Sequence, residues 1–237
     1  MRNSLAIARR ELGAYFFSPI AYIFIVVFLL IAGYMFFTEV FAGSAQADMR
    51  PLFGLAPLIF CFFAPSVTMG LFSEERQTGT LEMLLALPVT DWQVVLGKFL
   101  AASGLLAVTL LLTLPYAFFV AAYGNLDWGP VIGGYLGLML MAAGYLAVGL
   151  MTSVWTRNQI IAWVVGALLC FILFLVGKLL QVVPPALAPI VQAISFDYHF
   201  QSIARGVIDL RDLLYYASLI AICLIVAQTS LGSRRWR

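Results

Sequence analysis

A polar run at residues 73–98 lies between two long apolar stretches and carries the groups best suited to contact a water-soluble partner. It holds four of the eleven acidic residues, namely Glu74, Glu75, Glu82 and Asp91. On a helical wheel, one side of this run comprises Glu75, Gly79, Glu82 and Ala86. The opposite, mainly apolar side comprises Leu81, Leu84, Leu85 and Pro88. The pattern predicts a helical surface that offers carboxylates outward, and the alternative is a solvated connector between two spans.

Local signals divide this run into helices. Ser73 followed by two glutamates favours a helix start, because side-chain oxygens and negative charge suit an N-terminal turn. Gly79 interrupts that helix, and Thr80 begins a second short one that Pro88 ends. A capping box, Thr-Asp-Trp-Gln, then starts at Thr90 and predicts the beginning of the next long helix.

The residue patterns that would support an enzyme do not occur in this sequence. With His199 as the single histidine, the chain cannot carry His-Glu-x-x-His, and it has no Gly-x-Ser-x-Gly elbow. It also lacks the Gly-x(4)-Gly-Lys-Ser/Thr loop that cradles the phosphates of ATP. We therefore predict no catalytic residue, no metal site and no cofactor bound by this chain. His199 with Asp197 could touch a transported metal, but a structural role is favoured for a lone histidine.

The composition places these residues in a membrane protein. The chain is 63% hydrophobic and 10% charged, with a mean hydropathy of +1.02. A soluble domain of 237 residues needs far more polar surface than this. A net charge of +2, without a basic stripe, does not indicate nucleic acid as a partner.

Six apolar stretches are long enough to cross a bilayer, which takes roughly 20 residues. They predict an all-α, polytopic protein of one domain, residues 1–237, with spans at 19–37, 52–72, 94–122, 131–154, 160–176 and 213–231. Residues 1–18 predict an amphipathic helix at the membrane surface. Prolines predict kinks in the second and third spans, at Pro57, Pro65 and Pro115. Lys98, near the start of the third span, is expected to extend its ammonium group back to the interface.

The basic residues predict the orientation of the spans. With the N-terminus inside, nine basic residues lie on the inner side: Arg2, Arg9, Arg10, Arg76, Lys98, Arg157, Arg234, Arg235 and Arg237. Four lie on the outer side: Arg50, Lys178, Arg205 and Arg211. This asymmetry predicts cytoplasmic termini and a cytoplasmic segment at residues 73–93.

The predicted outer side includes one long connection, residues 178–212, which we call the outer segment. Prolines interrupt it, and its apolar run 186–194 is too short to span, so it predicts short helices in the outer leaflet. Arg205 and Asp209 are spaced to pair on one helix. In the fourth span, small residues predict a close helix contact within the bundle or between subunits, at Gly133, Gly134, Gly137 and Gly144.

Two motifs resemble a known family. Glu-x(3)-Gly-Thr-Leu-Glu-x-Leu-Leu-x(2)-Pro runs from Glu75 to Pro88, and Gly97-Lys98 follows it. This motif resembles the coupling segment of ABC type-2 exporter permeases, and the resemblance extends over most of the chain. A second match, from Phe196 to Asp212, resembles the gliding-motility-type branch before its last span. The sequence looks closest to that branch and to the nitrous-oxide-reductase-maturation type.

The resemblance assigns roles to particular residues. It implies that an ATPase contacts the chain through Glu74, Glu75, Arg76, Thr78, Gly79, Thr80, Leu81, Glu82, Leu85 and Pro88. It also implies an outer gate that contains Phe196, Asp197, His199, Arg205, Asp209 and Asp212. Residues 73–93 are called the coupling segment below.

The resemblance further implies a permease subunit that exports an unidentified substrate across a bacterial inner membrane. Two copies of a separate ATPase subunit would bind ATP and Mg²⁺, and a second copy of the permease or a related one would complete the assembly. In the gliding-motility-type branch, a membrane-anchored auxiliary protein accompanies the permease. Two alternatives remain open from the residues alone: a subunit that transmits mechanical work without moving a solute, and a membrane-embedded enzyme.

Overall fold

The computed structural model describes residues 2–43, 48–86, 88–180, 183–184, 188–207 and 209–232. For residues 2, 20, 39–43, 85 and 86 it describes the backbone alone. All the regular structure in these ranges is helical, as the sequence predicts. The helices are α1 Arg2–Phe17, α2 Pro19–Gly43, α3 Arg50–Thr68, α4 Gly70–Thr78, α5 Thr80–Ala86, α6 Asp91–Leu111, α7 Leu114–Tyr123, α8 Trp128–Trp155, α9 Gln159–Leu179, α10 Ala188–Ile194, α11 Phe196–Ala204 and α12 Leu210–Gly232.

Six helical segments are long and apolar enough to cross a membrane, and each overlaps one predicted span. They are Ala21–Thr38, Arg50–Thr78, Asp91–Tyr123, Trp128–Trp155, Gln159–Leu179 and Leu210–Gly232. The prediction of six membrane-spanning helices is confirmed. Of the three prolines, Pro115 follows a break between α6 and α7 at residues 112–113, whereas α3 is continuous through Pro57 and Pro65.

The second span extends further than predicted, and the helix start expected at Ser73 is wrong. α4 begins at Gly70, directly after α3, so Ser73 lies inside the helical segment. The Ser73 hydroxyl donates to the carbonyl of Met69, one turn earlier, instead of accepting from a free amide at a helix start. By contrast, the capping box at Thr90 is present and begins α6.

The fourth span, α8, is the centre of the bundle. Other helices of the chain bury 67% of the residues in its most apolar stretch, against 28% for α9 and for α12. Its glycine face packs against α11: a side chain at Gly137 would meet the ring of Phe200 at 3.1 Å. A side chain at Gly144 would meet the ring of Phe196 at 3.0 Å. The predicted close contact is therefore confirmed within this chain, because a Cβ at either position would lie closer to the ring than most real Cβ contacts.

The N-terminal helix α1 packs along the first half of α6, and the contacts run in the same order along both helices. The Asn3 amide donates to Gln93 over 3.3 Å, and a Cβ at Gly97 would lie 2.7 Å from Ile7. The helix therefore occupies the predicted range and is fastened to the third span. Its position at a membrane surface stays a prediction.

Candidate functional site

The coupling segment continues the second span beyond its apolar part and then turns. α4 ends at Thr78, and Gly79 follows it with a φ of +75°, in the left-handed region that favours glycine. Thr78 and Thr80 hold the turn: their hydroxyls lie 2.9 Å apart, and that of Thr78 also donates to the Glu74 carbonyl over 3.0 Å. α5 then runs from Thr80 to Ala86, and Pro88 follows it. The predicted interruption and second short helix are present.

The turn changes which side chains share a face. Leu81 and Leu84 are buried against the bundle, whereas Glu82 is exposed, as the wheel predicts. Met83 lies beside Glu82 and is 75% exposed, so an apolar side chain stands within the polar surface. The predicted contact Leu85 lies in α5, but its side chain falls outside the described part of the chain.

Glu75 does not face outward with Glu82, which corrects the face assigned from the helical wheel. Its Oε1 accepts from the ammonium of Lys98 over 2.8 Å, and its side chain is 21% exposed. The wheel treated the segment as one continuous helix, but Gly79 separates the helix of Glu75 from that of Glu82. The carboxylate therefore points into the bundle.

Lys98 is the centre of a buried polar cluster. Its side chain is 1% exposed, so the expected extension to the interface is wrong. The ammonium donates to the Leu71 carbonyl over 2.7 Å and lies 3.5 Å from Oε1 of Glu11. It also lies 5.1 Å from the centre of the Phe72 ring, within range of a cation–π contact. The three hydrogen bonds of Lys98 therefore join α1, the coupling segment and the third span.

Two further contacts involve α1 side chains near this cluster, one within α1 and one to α3. Glu11 forms an ion pair with Arg10 at 2.6 Å, and this hydrogen bond raises the pKa of the Arg10 guanidinium above its usual value. The Tyr15 hydroxyl donates to the carbonyl of Val67 over 2.8 Å, and burial raises the pKa of the Tyr15 phenol well above its usual range. Both side chains stay protonated at neutral pH, so these contacts persist there.

α8 contacts the coupling segment from the other side. The Arg76 guanidinium donates to the carbonyl of Val154 over 2.7 Å, near the C-terminus of α8. A cation is favourable there, because the last carbonyls of a helix carry partial negative charge. The Ser153 hydroxyl accepts from the amides of Phe72 and Ser73 and donates to the carbonyl of Met69 over 2.8 Å. The coupling segment is thus held by α6 on one side and by α8 on the other.

Sequence reasoning missed Glu11 and Ser153. Glu11 lies 87 positions from Lys98 in sequence, and Ser153 lies 81 positions from Phe72. A charged residue within an apolar span signals a buried partner, so Lys98 could have prompted a search for a carboxylate. Ser153 carries no comparable signal, since a serine in an apolar helix most often bonds its own backbone.

In the outer segment, α11 is held by an ion pair and by a buried hydrogen bond between side chains. Asp197 accepts from Lys178 of α9 over 3.1 Å, and Nδ1 of His199 lies 2.6 Å from Oδ1 of Asp212 in α12. His199 and Asp212 are both buried. His199 is thus a packed structural residue that joins two helices, and Phe196, which begins α11, is also fully buried.

The expected pair of Arg205 and Asp209 does not form. α11 ends at Ala204, and Gly206 with φ of +85° turns the chain before α12 begins at Leu210. The Arg205 guanidinium instead donates to the carbonyl of Gln201 over 3.1 Å, and Asp209 accepts from the amide of Arg211. The prediction assumed that both residues lie on one helix, but this turn separates them. Within the described ranges, no group of three or more His, Cys, Asp or Glu residues is placed to hold a metal ion.

Comparison with known proteins identifies the family of this chain. A search of curated proteins finds no match to the chain. The sequence model of the family described as "ABC-2 family transporter protein" matches residues 5–226, which include the first five spans and most of the sixth. The chain therefore belongs to the ABC-2 family of transporter proteins.

Proposed function

We propose that this ABC-2 permease subunit is driven by a separate ATPase subunit that docks on the exposed side of the coupling segment, and that it works as an exporter. The ATPase would bind ATP and Mg²⁺, because this chain has no phosphate-binding loop. Apart from Lys98, the predicted spans carry no acid or base, so the sequence offers no row of groups for a proton- or ion-coupled transporter. Energy supplied from outside the membrane fits this composition.

The observation that carries the proposal is the two-sided character of the coupling segment. The solvent-exposed side chains of the segment include Glu74, Glu82 and Met83. The face toward the helix bundle contains the buried Leu81 and the ion pair of Glu75 with Lys98 of the third span. An exposed apolar residue among carboxylates suits an interface with a central anchor and a polar rim.

The contacts of this segment give the proposed mechanism. A push on α5 would reach α4 through the turn at Gly79. From α4 it would reach the third span through the pair of Glu75 with Lys98, and the fourth span through the bond of Arg76 to Val154. A rigid lever with fixed attachments transmits a small displacement to the helices that it touches.

For the assembly, we propose two copies of this chain, or this chain with a related permease, and two ATPase subunits. The motifs from Glu75 to Pro88 and from Phe196 to Asp212 support the gliding-motility-type branch and hence an auxiliary membrane-anchored subunit. The excess of basic residues on one side of the spans supports cytoplasmic termini in a bacterial inner membrane. The substrate is left unassigned.

The docking proposal is tested by purifying the tagged chain from its native host and identifying the bound ATPase by mass spectrometry. The chain alone should hydrolyse no ATP. Met83→Asp and Glu82→Lys should reduce recovery of the ATPase at least tenfold, whereas Arg50→Gln, on the other side of the bundle, should leave it unchanged. Equal recovery with all three variants would show that the segment is only a connector.

The orientation is tested separately with reporter fusions. Fusions within residues 78–87 and after Arg237 should report cytoplasm, whereas fusions near Gly43, Asn125 and Gln192 should report the outer side. The tail after residue 232 lies outside the described part of the chain, so its side of the membrane rests on the charge pattern alone. An outward C-terminus would contradict an even number of spans with the N-terminus inside.

A further inference from the structure

The face of α1 that points away from α6 combines two arginines with apolar side chains. Arg9 and Arg10 are exposed, and so are Leu5, at 68%, and Phe17, at 94%. Among the described residues, Arg9 forms no ion pair, and Arg10 forms one, with Glu11. Cationic side chains beside apolar ones are typical of a helix that lies on an anionic membrane surface.

The first span fixes how far this face lies from the bilayer. Phe17 is the last residue of α1, α2 begins at Pro19, and the apolar span starts at Ala21. The C-terminal end of α1 is therefore next to the membrane surface, whatever the tilt of the helix. At about 1.5 Å per residue, Arg10 lies about 10 Å from Phe17 along the helix axis. A headgroup layer is about 5–8 Å thick and an arginine side chain is long, so the guanidinium of Arg10 can reach a lipid phosphate.

Arg10 is also the first member of a row of alternating charges that ends in the coupling segment. Its guanidinium lies 2.6 Å from Oε1 of Glu11, and the same oxygen lies 3.5 Å from the ammonium of Lys98. Lys98 in turn lies 2.8 Å from Oε1 of Glu75. The exposed fraction of the side chain falls along this row, from 56% for Arg10 to 15% for Glu11 and 1% for Lys98. Arg10 is therefore the cation of this row that a ligand can reach.

The two cations share one oxygen of Glu11, so a change at one cation affects the other. Arg10 makes the shorter contact, and the distance from Lys98 exceeds the usual range of a strong hydrogen bond. Consecutive side chains diverge by about 100° on a helix, so Arg10 reaches Glu11 by bending back from the exposed face. A phosphate, which pairs with a guanidinium through two parallel bonds, competes directly with this contact. Once Arg10 has turned to the phosphate, Glu11 keeps one cation and attracts Lys98 more strongly, away from Glu75.

We propose that Arg10 is a binding site for the phosphate of an anionic phospholipid, and that occupation of this site loosens the bond between Lys98 and the coupling segment. The exposed Leu5 and Phe17 beside the arginines favour an anion that carries acyl chains over a free one. The site itself requires no partner protein. Its effect on transport rests on the proposed function, because the coupling segment must first bind an ATPase.

The site is tested by hydrogen–deuterium exchange of the full chain in nanodiscs of phosphatidylcholine, with and without phosphatidylglycerol. Phosphatidylglycerol should speed exchange of amides 73–78 in α4 by about threefold, because the bond to Lys98 is weakened. Arg10→Gln should show the faster exchange in both lipid mixtures, since Glu11 has already lost its second cation. The matched control is Arg9→Gln, which removes the same charge from the neighbouring exposed position and should still respond to phosphatidylglycerol. No response of the wild type, or an equal response of Arg10→Gln, would overturn the site.

Two further arms separate the ligand and the relay from other causes. Soluble inorganic phosphate added to phosphatidylcholine nanodiscs should leave the exchange unchanged, and a response to it would show a site for free anions instead of lipid. Glu11→Gln should retain phosphatidylglycerol in native mass spectrometry as the wild type does, whereas Arg10→Gln should retain about threefold less. The exchange of Glu11→Gln should not depend on the lipid, and a persisting response would overturn the relay through Glu11.

The effect on coupling is tested with the complex of this chain and its co-purified ATPase. ATP turnover of the wild-type complex should differ about twofold or more between the two lipid mixtures, and turnover of the Arg10→Gln complex should be equal in both. Equal turnover of the wild type in both mixtures, together with lipid-dependent exchange, would overturn the role of the site in coupling. Failure of the wild-type chain to bind any ATPase would refute the proposed function instead, and the exchange experiment would still decide whether the lipid site exists.

Discussion

Lys98→Met is the perturbation that most directly tests the buried cluster. The wild-type ammonium is 1% exposed and satisfies the Leu71 carbonyl and two carboxylates, from Glu75 and Glu11. Methionine keeps the apolar stem but removes all three donors. The Glu75 carboxylate, 21% exposed, then remains without its cation, whereas Glu11, 15% exposed, keeps its ion pair with Arg10.

The expected cost follows from how these groups are placed. Oε2 of Glu75 is buried and has no hydrogen-bond partner among the described residues, so Lys98→Met leaves both oxygens of this carboxylate unpaired. Removing one partner of a buried ion pair typically costs about 3–5 kcal/mol, and the partial exposure of these carboxylates places this variant near the lower end. Glu75→Gln should cost less, about 1–2 kcal/mol, because Lys98 keeps Glu11 and the Leu71 carbonyl.

The assay is unfolding of the purified chain in detergent, followed by tryptophan fluorescence. The matched control is Arg50→Gln, which breaks an ion pair with Asp48 whose side chains are 81% and 38% exposed. An exposed pair of this kind contributes about 0–1 kcal/mol. We expect the order of destabilisation to be Lys98→Met, then Glu75→Gln, then Arg50→Gln. Equal stability of Lys98→Met and Arg50→Gln would refute the account of a buried cluster.

Three further predictions concern other parts of the structure, and the same unfolding assay measures the stability of each variant. Gly137→Leu should destabilise by about 3 kcal/mol or more, since its side chain would meet a ring at 3.1 Å, whereas Gly54→Leu, with nothing within 4 Å, should be nearly neutral. His199→Phe should cost about 3 kcal/mol or more because Asp212 is buried, and the added change Asp212→Leu should recover part of the loss. Gly79→Ala should lower the free energy of unfolding by about 1 kcal/mol because of the positive φ, and Gly79→Asn should lower it less. If the alanine variant also loses ATPase binding while the asparagine variant keeps it, backbone strain at this turn is the cause. If the two variants compared in any of these three tests are equally stable, the contact or turn that the test addresses is not important for stability.

The sequence was sufficient for the features that depend on local composition. Length and hydropathy placed all six spans, because a bilayer demands a long apolar helix whatever its neighbours are. The capping box at Thr90 and the helix end at Gly79 were also predictable, since each depends on bonds or dihedral angles within a few residues. The glycines of the fourth span predicted a close contact, but not that α11 would fill it.

The candidate site was only partly predictable, because its bonds join residues that are far apart in the sequence. Lys98 was expected to reach water, yet two carboxylates from different helices make its burial tolerable. Glu75 was placed on the outer face because the wheel continued through Gly79. One residue with φ of +75° was enough to separate that face into two. The assignment of ATPase contacts to the coupling segment stays a prediction.

The fourth span connects the two polar clusters that the sequence singled out. Ser153 and Val154, near its C-terminus, bond the coupling segment, whereas Gly137 and Gly144 receive the rings of α11. At about 1.5 Å per residue, the contact at Gly137 lies about 24 Å along the helix from Ser153. α11 is in turn bonded to α9 through the ion pair of Asp197 with Lys178, and to α12 through the hydrogen bond of His199 with Asp212. A displacement of the coupling segment that shifts α8 would therefore be transmitted to α11 in the outer segment, because α8 and α11 are in close contact at these glycines.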